Sequence, residues 1–165
     1  MAIATPRDLF LHELSDLVSA ENIFLKVLAE MADLSENADA QKAYRDHHEQ
    51  TKGHIDRLNK AFELMGEKPE QVTCLGAEGL RKEHDHLKEE KPEGVVKEIG
   101  MLIGADKSEH YEMCAYRNLA QVARSLGESD VANLRSETLS EEEDADKTVR
   151  SILRSLGSDV KADQA

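Results

Sequence analysis

A chain of 165 residues suffices for one domain with a real core, and its composition points to helices. A third of it is charged, 4% is aromatic, Trp is absent and there are three prolines, a balance that disfavours a β-sandwich or a parallel sheet. The formal net charge of −13, with no basic patch, argues against nucleic acid and membrane lipid as partners and suits metal cations.

Thr5-Pro6 reads as an N-cap followed by proline at the first helical position, where its missing N–H costs nothing. Phe10, Leu14, Leu17, Phe24, Leu28 and Met31 then recur at helical spacing, giving a first long helix that ends near residue 33. A turn over 35–39 leads into a second long helix running to Met65, with Tyr44, Ile55, Leu58 and Phe62 inward and Gly66 as its stop. So short a turn makes the two helices antiparallel neighbours. Residues 66–93 contain an amphipathic stretch over 77–87 and a charged run over 88–93, which predicts a long crossover with a short helix in it. Pro92 is expected to open a third long helix, with Leu102, Met113, Tyr116, Ala120 and Ala123 inward, stopping at Leu126-Gly127. Ser129 is the expected cap of a fourth, with Val131, Leu134, Thr138, Ala145, Val149, Ile152 and Leu156 inward. The domain is thus 1–157, and 158–165 reads as a disordered tail. Two antiparallel pairs joined by one long crossover define an all-α, ferritin-like four-helix bundle. No apolar run approaches the roughly 20 residues that span a bilayer, and the first ten residues lack a signal-peptide pattern. Cys74 and Cys114 are too few for a disulfide framework and predict a reduced, cytoplasmic protein.

The chemistry lies where carboxylates interrupt the apolar stripes. Glu21 sits between Leu17 and Phe24, where leucine is expected. The third long helix carries Glu109 and Glu112 between Leu102 and Tyr116, and the fourth carries Glu141 and Glu142 between Thr138 and Ala145. A helix rotation of well under one turn exchanges the last two. His54 lies near the inner edge of the second helix, while His47 and His48 are weaker candidates that could equally pack beneath polar neighbours. Any one of these glutamates alone reads as a partly solvated edge residue. Together they repel, so they must be protonated, paired with bases or held by a cation. No Lys or Arg falls on the inner stripes expected for the first and fourth long helices, which favours a multivalent cation; oxygen ligands with an imidazole suit iron or manganese.

Several stretches resemble the YciE/YciF family of ferritin-like, rubrerythrin-related bacterial stress proteins. They are Ser19-Ala20-Glu21, His47-His48-Glu49-Gln50-Thr51, Glu109-His110-Tyr111-Glu112, Glu137-Thr138-Leu139-Ser140-Glu141-Glu142 with Asp146, and the connector Cys74-Leu75-Gly76-Ala77-Glu78-Gly79-Leu80. The resemblance spans Thr5 to Leu156 and implies a homodimer with a stress role. By the same analogy, Glu21 and Glu109 would be pseudo-symmetric carboxylate ligands. Di-iron bundles carry Glu-x-x-His on the second and fourth long helices, whereas this chain has Thr51-Lys52-Gly53-His54 and Thr138-Leu139-Ser140-Glu141. That departure puts a complete redox-active di-iron centre in doubt and leaves open a single-metal site or a weak two-metal site. The expected function is therefore a non-storage stress protein that binds iron or manganese through Glu21, His54, Glu109, Glu112, Glu141 and Glu142. The alternatives are a di-metal peroxidase or oxidase of rubrerythrin type and a metal-free structural protein.

Overall fold

The computed structural model describes residues 3–157 and Val160. The chain forms helices α1 (Pro6–Leu34), α2 (Ala38–Met65), α3 (Leu75–Glu89), α4 (Gly94–Ser125) and α5 (Ser129–Ser155). No strand occurs among the described residues, and no helix is long and apolar enough to cross a membrane. α1 and α2 form one antiparallel pair, α4 and α5 the other, and α5 closes the bundle against α2. α3 lies in the crossover, packed on α1 and α4. This is the ferritin-like bundle that the apolar spacing predicts.

The ends of the elements follow from local chemistry. At the N-terminus of α1, Thr5 accepts from the Asp8 N–H while the Asp8 carboxylate accepts from the Thr5 N–H, a reciprocal capping box. Asn37 caps α2 by accepting from the Asp39 and Ala40 N–H groups. Gly66 ends α2 at φ 69°, in the left-handed region that glycine enters without steric penalty. Two expected starts move. Pro92 lies in the connection, where Lys91 at φ 51° and Gly94 at φ 53° keep the backbone from entering a helix sooner, so Glu93 is the N-cap of α4. Glu128 precedes α5 and Ser129 is its first helical residue, because the left-handed Gly127 makes the turn one residue earlier. The expected disordered tail lies outside the described residues apart from Val160, whose N–H donates to the Leu156 carbonyl.

Close approach fixes α3. A side chain at Gly76 of α3 would sit 2.6 Å from the ring of Tyr111 in α4, and one at Gly100 of α4 would sit 2.8 Å from Leu87 in α3. Each helix thus offers a glycine to the other's bulky residue. Two serines of α1 tie down the preceding segment: Ser15 accepts from the Glu70 N–H and Ser19 from the Cys74 N–H.

The core divides in two. One cluster gathers Phe10, Leu14, Leu58, Phe62, Leu119 and Val131. The other gathers Leu28, Met31, Tyr44, Leu102, Val149 and Ile152. Along α2, α4 and α5 the residues between these clusters are polar and buried.

The turn between α1 and α2 is held from α4. The buried Glu98 carboxylate accepts from the Ser35 hydroxyl and the Glu36 N–H, both at 2.7 Å. Removing it strands two donors, so Glu98→Ala should cost about 1.5–3 kcal/mol in urea unfolding and Glu98→Gln distinctly less. An Ala variant as stable as the parent would mean that water replaces these bonds without loss.

Candidate metal centre

Each of the four long helices delivers polar groups from its buried stripe. α1 contributes Glu21, α2 contributes His47, Thr51 and His54, α4 contributes Glu109 and Glu112, and α5 contributes Arg135, Thr138 and Glu142. The α2 and α5 sets run i, i+4, i+7 and i, i+3, i+7, which keeps their side chains on one face. All are nearly or completely excluded from solvent.

Glu142 stands at the centre. Its Oε1 lies 3.0 Å from His54 Nδ1 and its Oε2 lies 3.3 Å from His47 Nε2. Glu21 Oε2 approaches His54 Nδ1 at 3.5 Å, and Glu109 Oε1 approaches His47 Nε2 at 3.3 Å. Two sets of ligand atoms result, Glu21–His54–Glu142 and His47–Glu109–Glu112–Glu142, each with all its atoms within 4.8 Å of one another. They share Glu142. The buried oxygens Glu21 Oε2, Glu109 Oε2 and both of Glu142 have no hydrogen-bond partner, although imidazole nitrogens stand within 3.5 Å of Glu21 Oε2 and of both Glu142 oxygens.

The outer nitrogens of both imidazoles are occupied. His54 Nε2 lies 2.9 Å from Glu141 Oε2, and His47 Nδ1 lies 3.2 Å from Gln50 Oε1. Both partners accept, so in the neutral rings the proton belongs on the outer nitrogen and the inner lone pair points at the carboxylates. Glu141 itself is partly exposed and is bonded to Arg57. It therefore orients His54 rather than joining the converging atoms, and Glu142 is the inward member of the pair. One residue along a helix is a rotation of about 100°, enough to separate the two roles.

Three further placements sharpen or correct the sequence reading. His47, a weaker candidate from the sequence, belongs to the cluster, seven residues from His54 on the same helix. Thr51 and Thr138, where Glu-x-x-His motifs would begin, turn their hydroxyls onto their own helix, donating to the His47 and Leu134 carbonyls. Arg135 corrects the expectation that no cation faces inward from the fourth long helix. It is fully buried, and its guanidinium carbon lies 5.7 Å from the centre of the Tyr116 ring. Its three nitrogens make no hydrogen bond. Tyr116 in turn donates its hydroxyl to Glu21 Oε1.

Burial dominates the titration of the acids. It pushes Glu112 well above the usual carboxylate range, helped by the charges of Glu142, Glu21 and Glu109. Burial also raises Glu109 and Glu142, against opposition from His47 and His54 respectively. For His54, burial alone would lower the value; contact with Glu142 and Glu21 and their charges overcome it and push the ring up to about 10. A second acidic group at the bundle surface, Asp106, His110 and Asp146, already holds a cation of the chain: Arg150 Nε lies 3.0 Å from both aspartates.

These shifts fix the sign of a pH dependence. A histidine raised from about 6.5 to about 10 contributes stability that is complete below its unfolded value and is lost as pH rises through the folded one. The raised carboxyls act in the same direction, because the folded state binds their protons more tightly. The urea midpoint of the chelator-treated protein should therefore fall steadily from mildly acidic to strongly basic pH, and the decline above neutrality should flatten in His54→Gln. A midpoint that rises with pH would contradict this coupling.

The chain matches known proteins over nearly its whole length. A family described as a domain of unknown function, DUF892, matches residues 5–161. Protein YciF of Escherichia coli (strain K12) is 35% identical over 147 residues, covering 88% of this chain and 89% of that protein. The crystal structure of the Escherichia coli stress protein YciF superposes with a TM-score of 0.89 at 33% identity, covering 92% of this chain and 96% of the other. YcfI of Rhodopseudomonas palustris gives 0.87 at 33% identity, with 90% and 94% covered. A protein from Xanthomonas campestris pv. campestris, 18% identical, gives 0.76 over 98% of this chain and 100% of the other, and so shares the fold. By sequence and by structure, the chain belongs to the DUF892 family, the family of YciF.

Proposed function

We propose that the buried polar layer binds two divalent first-row cations, iron or manganese, and that the protein serves a non-storage role in a bacterial stress response. The observation that carries this is Glu142, which turns one oxygen toward each of two imidazoles while every carboxylate around it has a buried oxygen or a raised affinity for protons. Glu21, His54 and Glu142 Oε1 would hold one cation; His47, Glu109, Glu112 and Glu142 Oε2 would hold the other. Oxygen donors with one imidazole per cation fit iron or manganese, either of which would bring a one-electron redox couple to the site. Peroxide consumption by the loaded protein would add a rubrerythrin-type activity to this reading.

The surrounding residues have definite tasks under this proposal. Glu141 and Gln50 take the outer nitrogens of the two rings and so keep the inner ones aimed at the site. Tyr116 fixes the Glu21 carboxylate, and the charge of Arg135 offsets part of the negative charge of the layer. The proton that His54 holds between Glu21 and Glu142 must leave before that nitrogen can coordinate, so uptake of cations releases protons.

Glu21 at a leucine position is not the most costly carboxylate, because Tyr116 and Arg135 compensate it. Glu112 is. Glu112→Leu should stabilise the metal-free bundle by about 1–4 kcal/mol, as when buried charged groups give way to apolar ones, and should weaken manganese(II) binding. Manganese(II) or iron(II) should raise the melting temperature of the parent protein by mass action. An unchanged melting curve at saturating metal, with no metal found by elemental analysis, would favour an internal network that keeps its own protons.

We further propose a cytoplasmic homodimer. Cys74 and Cys114 are free thiols, which suits a reducing compartment. A groove between α1 and α4 exposes Leu9 and Val122 beside the buried Phe10 and Leu119, an apolar strip that a second copy would cover by two-fold symmetry. Light scattering should return about twice the 18.4 kDa chain mass, and Leu9→Lys with Val122→Lys should return the chain mass itself. A monomeric parent protein would refute the dimer.

A further inference from the structure

A cavity of about 170 Å³ runs inward between α2 and α5. Its rim is exposed and carries Asp46 and Gln50 from α2 and Asp144 from α5. At its floor are His47 and Glu109, 5% and 2% exposed, both members of the candidate metal centre. Gln50 joins rim to floor through its contact with His47 Nδ1.

The floor and the rim both favour a cation. Glu109 lines the cavity, and its buried Oε2 makes no hydrogen bond. A carboxyl with an unpaired oxygen beside such a cavity can exchange its proton for a cation. At the rim, Asp46 and Asp144 pair, among the described residues, with lysines of their own helices, Lys42 and Lys147. Exposed pairs of this kind are worth little and the lysines can swing aside. The volume exceeds the roughly 30 Å³ share of a single water, so a partly hydrated ion fits.

We propose that this cavity is the route by which divalent cations reach the metal centre, with Asp46 and Asp144 gathering the ion at the rim and Glu109 receiving it at the floor. The inference rests on the metal-centre reading above. A barrier on the path leaves the end states unchanged, so altering the route changes loading and release together, whereas altering a ligand changes affinity.

Cobalt(II) uptake by the full-length, chelator-treated protein tests this by stopped-flow absorbance. In Asp46→Asn/Asp144→Asn the loading rate should drop about three- to tenfold at low ionic strength, with the difference shrinking in high salt. Ala145→Leu narrows the cavity wall and should slow loading and release by the same factor at constant Kd. The asparagine pair sits on the surface, so it remains informative even where the leucine variant folds poorly. Cobalt(II) bound with unchanged affinity and unchanged loading rate in the asparagine pair would overturn the route alone. A rise in Kd with no change in loading rate for Ala145→Leu would also overturn it. A parent protein that binds no cobalt(II), manganese(II) or iron(II) at equilibrium would remove the metal centre and the route with it.

Discussion

Keeping several carboxylates out of water in one layer of a helical bundle is the constraint on which the rest of this structure depends. Glu21, Glu109, Glu112 and Glu142 share a space with two imidazoles and one guanidinium, and all of them are almost wholly shielded from solvent. Charged groups in such surroundings are tolerated only when paired, protonated or bound to a metal. The bundle meets this by concentrating apolar burial on either side. Fully buried Leu, Val, Ile, Met and Phe side chains contribute about 1.5–3 kcal/mol each, and the two clusters that flank the layer supply such residues from all four long helices. The helices are long because two cores and a polar layer have to be stacked along one axis.

Threonine at positions 51 and 138 reshapes the site instead of abolishing it. A hydroxyl that bonds to its own helix backbone withdraws from the centre, and the groups one turn away take the vacant directions: His47 on α2 and Glu142 on α5. The result still has two sets of donors, but they share one carboxylate and use imidazoles seven residues apart on a single helix. Arg135 belongs to the same arrangement. Its guanidinium reaches no carboxylate directly; it lies over Tyr116, whose hydroxyl bonds to Glu21, so positive charge influences the acidic layer across an aromatic ring.

The crossover that makes the topology ferritin-like also braces the molecule. α3 is held against α4 by the exchange of glycine for bulky side chain at Gly76 with Tyr111 and Gly100 with Leu87. Tyr111 then places its hydroxyl 2.9 Å from the Cys74 sulfur at the start of α3. On the opposite side Arg57 of α2 ties α5 through Thr138, Glu137 and Glu141, and further along the same pair of helices the cavity reaches His47 and Glu109. The braced side is closed by packing, and on the other side the cavity ends at the edge of the polar layer.

Much of this architecture is legible in the amino-acid sequence, because periodicity and capping are local. Apolar residues at three- and four-residue intervals, Thr5-Pro6, Gly66 and the long connection between Met65 and the third long helix suffice for four long helices, their pairing and the crossover. The same stripes expose Glu21, Glu109 and Glu112 as carboxylates where leucines belong. What the sequence leaves open is rotation about each helix axis, and only packing settles it. Glu142 rather than Glu141 faces inward, and Arg135 rather than Leu134 is fully buried, because α5 seats its stripe between α2 and α4 with Thr138 at the centre. A rotation of about 100° per residue costs nothing in local propensity, so a neighbouring register is equally good until the other helices are present. His47 joins the site for the same reason: its place at the cluster is created by groups on α4 and α5 that lie far away in the chain and meet it only in the folded bundle.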